Sequence, residues 1–327
     1  MSVLVTGGAG YIGSHMVLAL IDRGERVVVL DDLSTSGRAI TPAGVILVEG
    51  DVADQALLRR LLAEHGVTDV LHFAGSKVVP ESVEDPLGYW RNNTAASRDL
   101  IEACVGAGVA NFIFSSTAAV YGAAEAGLLP ESAPTDPANP YGRSKLATEW
   151  ILQDVSAATS LRHVSLRYFN VAGADPARRT GQRSPTATHL VKRACQAALG
   201  RLPFLGVFGD DYPTPDGTCV RDYIHVTDLV DAHALALDYL RGGGGSATFN
   251  CGYGHGSSVR DVIGAVEQAA GHKLPVRTLP RRPGDVATVV ADASRIKAEL
   301  GWTPRYDTLD QLVSHALAWE SSLNSDG

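Results

Sequence analysis

The sequence predicts an α/β protein, a parallel sheet wound on both faces by helices and joined to a smaller, more irregular α/β unit. Three observations carry that prediction. Short β-branched runs alternate with helix-length segments through the first half of the chain, the order that buries parallel strands under helices. A glycine cluster, Gly7-Gly8-Ala9-Gly10, separates the first strand from the first helix. Beyond about residue 170 the alternation loosens into Gly/Pro-rich stretches at 174–185 and 206–217.

In chain order, strands are read at 2–6, 26–31, 45–49, 69–73, 111–115 and 163–168. Helices at 12–23, 54–65, 86–107 and 140–159 fill the intervals, several entered through Asp or Pro. The glycine run at 242–245 reads as a solvent loop before a further strand at 247–250. This divides the chain into residues 1–170 and 171–327, with about 220–252 returning to the first unit.

The composition suits such a fold: 327 residues, 45% hydrophobic and 20% charged, leave ample material for a core. Lys plus Arg number 28 against 36 Asp plus Glu, a formal charge of −8 with no long basic run. Duplex nucleic acid and anionic membranes are therefore not expected partners. No run approaches the roughly 20 apolar residues of a bilayer span, and Ser2-Val3-Leu4-Val5-Thr6 reads as a buried strand, not a cleavable leader. A cytoplasmic protein is expected. Its four cysteines form no CxxC pair, which predicts reduced thiols. The ten histidines form no HxH or HxxxH pair with carboxylate support; His15, His65 and His233 read as surface or packing residues, and no metal is implied.

Gly7, Gly10 and Gly13 recur at three-residue intervals in Thr6-Gly7-Gly8-Ala9-Gly10-Tyr11-Ile12-Gly13. Glycine fits where the backbone turns sharply, approaches a pyrophosphate and lets a helix pack on a sheet, while the helix N-terminus offers unpaired N–H groups. The triplet is followed by a strand ending in Asp31, 18 residues after Gly13. Together these make the sheet a Rossmann-type, doubly wound one that holds a dinucleotide, with Tyr11 and Ile12 in the turn as further contacts. Asp31 can accept hydrogen bonds from both adenosine ribose hydroxyls, and its charge, joined by that of Asp32, opposes a 2′-phosphate. NAD is therefore expected over NADP. Asp51-Val52 after the third strand is positioned to meet the adenine, with a helix N-cap at Asp51 or Asp54 as the alternative. Phe73-Ala74-Gly75 closes the fourth strand with small residues where backbone passes near the cofactor.

Tyr141 and Lys145 stand four apart in a predicted helix and project from one face. A phenol is a poor base at neutral pH, and bringing it to about 7 takes ~4 kcal/mol of differential stabilisation. An ammonium one turn away and a positive nicotinamide ring are the expected source. Phe114-Ser115-Ser116-Thr117, at the end of the fifth strand, supplies hydroxyls upstream at the distance expected of a donor facing the same cleft.

The glycine triplet, Ser115-Ser116-Thr117 and Tyr141-xxx-Lys145 together resemble the extended short-chain dehydrogenase/reductase family. Further segments are similar to its UDP-hexose 4-epimerases: His72 to Lys77, Arg167-Tyr168-Phe169-Asn170-Val171-Ala172-Gly173, Phe208 to Thr214, and Val220-Arg221-Asp222-Tyr223-Ile224-His225-Val226. The similarity runs from Val3 to about Trp319. It implies Tyr141 as general base, Thr117 as the hydroxyl bridging to the sugar 4-oxygen, and Lys145 on the nicotinamide ribose. It puts Lys77 near the nicotinamide end, and adds Asn92, Ser115 and Tyr168 to the cofactor contacts. Asn170, His189, Leu190, Phe208, Arg221, Arg282 and Asp285 would line a UDP-sugar site. Arg221 and Arg282 are the forked donors a diphosphate needs, with surface salt bridges as their alternative.

The implied reaction interconverts UDP-glucose and UDP-galactose: oxidation at C4, rotation of the sugar and return of hydride to the other face. Val289, within 285–292, leaves room for an N-acetyl group, so UDP-GlcNAc and UDP-GalNAc are possible substrates. A UDP-pentose 4-epimerase, another nucleotide-sugar-modifying dehydrogenase of this type and a non-enzymatic NAD sensor remain as alternatives. A 4,6-dehydratase is disfavoured, because Ala118-Ala119 follow Thr117 where elimination needs a carboxylate pair. The resemblance also implies a homodimer paired through 86–107 and 140–159.

Overall fold

Strand β1 (Ser2–Thr6) is buried along its whole length, as a strand covered on both faces must be. The computed structural model describes residues 2–35, 42–122, 127–184, 188–282 and 284–323; the last residue of the predicted 174–185 loop lies outside them. After β1 come α1 (Tyr11–Asp22), β2 (Arg26–Asp31), β3 (Ile46–Glu49), α2 (Gln55–His65), β4 (Val67–His72), α3 (Val79–Glu84) and α4 (Pro86–Tyr89). A π-helical turn (Trp90–Ala95), α5 (Ala96–Ala107), β5 (Asn111–Ser115), a 3₁₀ turn (Ala118–Tyr121), β6 (Leu128–Leu129), α6 (Pro140–Ala158) and β7 (Arg162–Tyr168) follow. The rest contributes β8 (Asn170–Ala172), α7 (Leu190–Ala198), β9 (Leu205–Phe208), β10 (Val220–Arg221), β11 (Tyr223–His225), α8 (Val226–Arg241) and β12 (Ala247–Cys251). It ends with β13 (Ser257–Ser258), α9 (Val259–Ala270), β14 (Val276–Leu279), β15 (Thr288–Ala291), α10 (Ser294–Leu300) and α11 (Leu309–Ser322).

Seven parallel strands form the main sheet in the order β12-β7-β5-β4-β1-β2-β3. The chain winds outward from β1 through β2 and β3, then returns to β4 on the other side. That reversal opens a crevice at the carboxyl ends of β1 and β4, the usual ligand position in an open α/β sheet. Alternate residues feed two apolar layers: Val3 and Val5 pack with Met16, Leu20 and Leu229 on one face, Leu4 with Leu58, Leu62 and Leu100 on the other. Burying each such side chain contributes about 1.5–3 kcal/mol, which fixes the strand register that aims the loops at the crevice.

Helix ends follow local chemistry. The Asp54 carboxylate accepts from Ala56 N and Leu57 N to cap α2, and Gly66 ends it at φ 58. Asn139 caps α6 by accepting from Gly142 N at 2.9 Å, with Pro140 opening the helix. Helix α1 differs: Gly10 precedes it without a side-chain cap, leaving its first N–H groups for another acceptor.

The predicted helix at 86–107 is instead α4, the π turn and α5. One extra residue in a turn leaves the apolar spacing on either side intact, so periodicity does not register it. Strand β12 joins the main sheet beside β7, from Ala247↔Val164 to Cys251↔Tyr168. The later segments also form a smaller sheet, β13-β10-β15-β6, and a third apolar cluster uniting α7, α9 and α11. Among the described residues no helix is long and apolar enough to cross a membrane.

Candidate active site

The glycine turn is packed too closely for side chains. Gly7 has φ +67, and a Cβ there would lie 2.6 Å from Ala74 N; a Cβ on Gly13 would strike the Gly7 carbonyl oxygen. The turn therefore presses on the segment after β4, and that segment in turn reaches the catalytic helix: a Cβ on Gly75 would be 3.7 Å from Lys145 Nζ. Backbone, not side chain, lines this path from glycine turn to ammonium. Asp31 ends β2 nearly buried, its carboxylate oxygens accepting from Ala9 N at 2.9 Å and Leu33 N at 2.8 Å. Burial raises its pKa, and the two N–H bonds oppose that rise. The close glycine approach, the uncapped N-terminus of α1 and a carboxylate held by the turn itself fit a dinucleotide.

Other predicted cofactor residues fall around this path. The Tyr11 hydroxyl donates to Gly173 O at 2.7 Å, tying the turn to the loop after β8. Ile12 follows in α1. Asp32 is exposed and accepts from the Ser34 hydroxyl at 2.7 Å. Asp54, not Asp51, caps α2; Asp51 accepts from Ala53 N at 2.8 Å in a local turn, and Val52 is buried beneath it. Phe73 lies against His233, and Asn92 donates to the Ser76 hydroxyl at 3.2 Å. Lys77, whose ammonium is lowered by the protein around it, lines a cavity with Gly8, Ala9, Tyr11 and Gln182.

At the end of β5 three consecutive residues meet α6 or its surroundings. Ser115 O accepts from Lys145 Nζ at 3.1 Å, and Lys145 also lies 4.9 Å from the Phe114 ring centroid. Ser115 Oγ pairs with His233 Nε2 at 3.0 Å; since His233 Nδ1 donates to Leu229 O at 2.8 Å, the hydroxyl is the donor to Nε2. His233 therefore orients a site residue as well as packing. The Thr117 side chain lies close to Tyr141 and biases its phenol toward ionisation, and Tyr89 meets the Tyr141 ring edge-on at 6.4 Å.

Electrostatics depart from expectation. Burial raises Tyr141 above its ordinary value, with the nearby Thr117 hydroxyl acting downward, and burial lowers Lys145 to about 8. The ammonium one turn away does not by itself make the phenol a base. Its proton is directed at the Ser115 carbonyl, and both groups sit where charge is poorly solvated.

A second wall comes from the later segments. The Arg282 guanidinium stacks on Phe208 at 3.6 Å, and Arg281 stacks on Tyr212 at 4.1 Å while pairing with Asp211. Asp285 donates its N–H to Arg282 O at 3.2 Å. Arg221 and Val289 are register partners in β10 and β15, and Val289 packs against the apolar cluster that contains Tyr121 and Phe169. Arg221 is turned to main-chain carbonyls, donating to Val220 O at 2.9 Å. Asn170 is exposed, its N–H donating to Asp222 O. His189, which precedes α7, pairs with Gln182 and is lowered to about 4 by burial, with Lys77 and Lys192 adding to the effect; Leu190 follows it, half-buried.

Two supporting residues escaped sequence reasoning. The buried Asn93 side chain accepts from Ser76 N at 2.7 Å and donates to Ser76 O and the Ser144 hydroxyl, joining the Lys77 loop to α6. Buried Asp222 accepts from Tyr253 N, Gly254 N and Ala291 N, fastening β10 to β15. Nothing in their sequence surroundings separates Asn93 from Asn92, or a buried Asp from an exposed one.

Residues 3–252 match the NAD dependent epimerase/dehydratase family. A UDP-glucose 4-epimerase of Azospirillum brasilense is 60% identical over 98% of this chain and 92% of that protein. The UDP-glucose-4-epimerase of Stenotrophomonas maltophila, solved with NAD and formylated UDP-arabinopyranose, is 42% identical with a TM-score of 0.95 over 100% of both chains. That of Bifidobacterium longum, with NAD+ and UDP, is 40% identical with a TM-score of 0.94, again over 100% of each. The UDP-Glc/GlcNAc 4-epimerase of Campylobacter jejuni is 43% identical with a TM-score of 0.86 over 98% of this chain and 99% of that one.

Proposed function

This chain belongs to the NAD dependent epimerase/dehydratase family, and from that premise we propose that it interconverts UDP-glucose and UDP-galactose by transient oxidation at C4. Bound NAD supplies the hydride acceptor and, once the sugar has turned over, the source of its return. The observation that carries the residue assignments is the backbone-lined path from the glycine turn to Lys145, one helical turn from buried Tyr141.

In this reading the chain has three tasks. The glycine turn and Asp31 hold the dinucleotide, the carboxylate favouring unphosphorylated ribose. Lys145, whose ammonium donates to Ser115 O, would hold the nicotinamide ribose, and Tyr141 would take the 4-hydroxyl proton through or beside the Thr117 hydroxyl. A bound nicotinamide ring would supply the positive charge needed to stabilise a phenolate at Tyr141, which burial alone disfavours. Phe208, Arg282, Arg221, Asn170, His189, Leu190 and Asp285 grip the nucleotide; the hexose is held loosely, because a tightly bound sugar could not present both faces. Residues 1–170 with about 220–252 serve the cofactor, and the remainder of 171–327 serves UDP.

The test uses purified protein without added cofactor. UDP-galactose is converted to UDP-glucose, and Tyr141→Phe lowers kcat by about 10²–10⁴-fold with KM within about twofold. Wild-type kcat in Tyr141→Phe overturns the assignment.

Two finer points belong to the same reading. Val289, half-buried against the cluster that holds Phe169, is a small side chain that would admit an N-acetyl group, so UDP-GlcNAc turns over too, and Val289→Tyr selectively removes that activity. The protein works in galactose metabolism as a cytoplasmic homodimer. Buried, unpaired cysteines support a reducing compartment, and exposed Val83, Leu87 and Trp150 on α3, α4 and α6 support the pairing face.

A further inference from the structure

Tyr141, Lys145 and Glu149 stand at successive four-residue steps on α6 and are all buried. Two of them serve the proposed reaction; the third has no part in it. The Ser116 hydroxyl donates to Glu149 Oε1. The Arg167 guanidinium grips the same carboxylate as a fork, Nε to Oε1 at 3.0 Å and Nη2 to Oε2 at 2.6 Å. Arg167 Nη1 then donates to the Tyr121 hydroxyl at 3.1 Å, and that hydroxyl donates to Asn250 Oδ1 at 2.6 Å. Ser116 immediately precedes Thr117, and Tyr121 closes the 3₁₀ turn that Thr117 caps. The short segment carrying the Thr117 hydroxyl is thus tied at both ends to one buried ion pair.

We propose that Glu149 and Arg167, acting through Ser116 and Tyr121, are positioning residues that hold the Thr117 hydroxyl against Tyr141. A buried ion pair is weak evidence for stability, since well-packed apolar residues often replace one without loss, so its use here is better explained by geometry. A hydroxyl that bridges phenol and substrate must lie within a few tenths of an ångström of its working position, and misplacement by about 1 Å costs up to ~10²-fold in rate. The inference rests on the roles proposed above for Tyr141 and Thr117.

The tie has a titration signature. The charged and titratable groups around Tyr141 are Lys145 on its own helix, Tyr89 from α4 and Tyr168 from β7, with the Thr117 hydroxyl as a near neighbour. The nearby Thr117 hydroxyl favours the phenolate, so moving Thr117 away shifts Tyr141 ionisation to higher pH, an effect a purely structural tie has no reason to produce. Ser116→Ala and Tyr121→Phe each cut one tie and leave the Arg167–Glu149 pair in place. In the NAD-loaded enzyme each is expected to lower kcat for UDP-galactose about tenfold, with KM within about twofold. Ultraviolet titration, compared with a Tyr141→Phe background to isolate this phenol, shifts upward. Unchanged kcat and unchanged Tyr141 ionisation in both variants overturn the proposal, whatever happens to Tm. A shifted titration in a protein that leaves UDP-galactose untouched supports the tie and refutes the reaction.

Discussion

Lys145 is held as a cation in a place that resists cations. Burial lowers its ammonium to about 8 from an ordinary 10.5, so at neutral pH the folded, cofactor-free protein carries a charge at a cost of about 3 kcal/mol. Between those two values the unfolded chain binds more protons than the folded one, and the stability contributed here rises with pH; below about 8 the penalty is present in full. Lys145→Met is therefore expected to raise Tm at about pH 7 while abolishing turnover, with the gain in Tm shrinking above pH 8. A constant gain across that range contradicts the titration. The four-residue spacing to Tyr141 was legible in the sequence because helix geometry alone puts both on one face. The direction of the Tyr141 shift was not: it depends on burial and on Lys145 aiming at Ser115 O, which spacing does not encode. Asp51 illustrates the same limit, since two nearby aspartates were equally good caps on paper and only the turn chose Asp54.

Among the elements, the turn from β1 into α1 was the most readable, because its glycines answer to contacts that leave no room for Cβ. Gly13→Ala drives a methyl into the Gly7 carbonyl and toward Gly8 Cα. We expect loss of about 1–3 kcal/mol and purification without NAD, measured by thermal unfolding and by cofactor content per chain. Retention of a full complement of NAD contradicts the assigned cradle. Asp54→Ala, which removes the α2 cap far from the chemistry, is expected to cost about 1 kcal/mol in denaturant unfolding and leave kcat unchanged. The segment from 86 to 107 was the least readable element: its apolar spacing promised one helix, whereas Asp85 and Pro86 open α4 and the π turn follows. That turn places Asn93 between Ser76 and Ser144, a contact that joins the loop after β4 to α6, far away in sequence.

Across the whole molecule, the sheet order places glycine turn, β4 loop and β5 end at one edge, and this much followed from strand alternation and motif order. The wall built by Phe208, Arg282 and Val289 did not follow from pattern. Its strands, two to four residues long, are too short for periodicity and are joined by buried groups such as Asp222. Resemblance supplied those residues, and β10 and β15 bring Arg221 and Val289 side by side. If α3, α4 and α6 form the pairing face, sedimentation gives twice the 34.4 kDa chain mass, and Leu87→Glu combined with Trp150→Glu reduces it to the single value. An unchanged mass in that variant places the interface elsewhere. The central claim, that the carbinol is inverted by moving its own hydrogen away and back, is tested most directly with UDP-galactose deuterated at C4. Enzyme turning over in ordinary water should yield UDP-glucose that keeps the deuterium at C4; replacement of the label by solvent hydrogen would contradict the account.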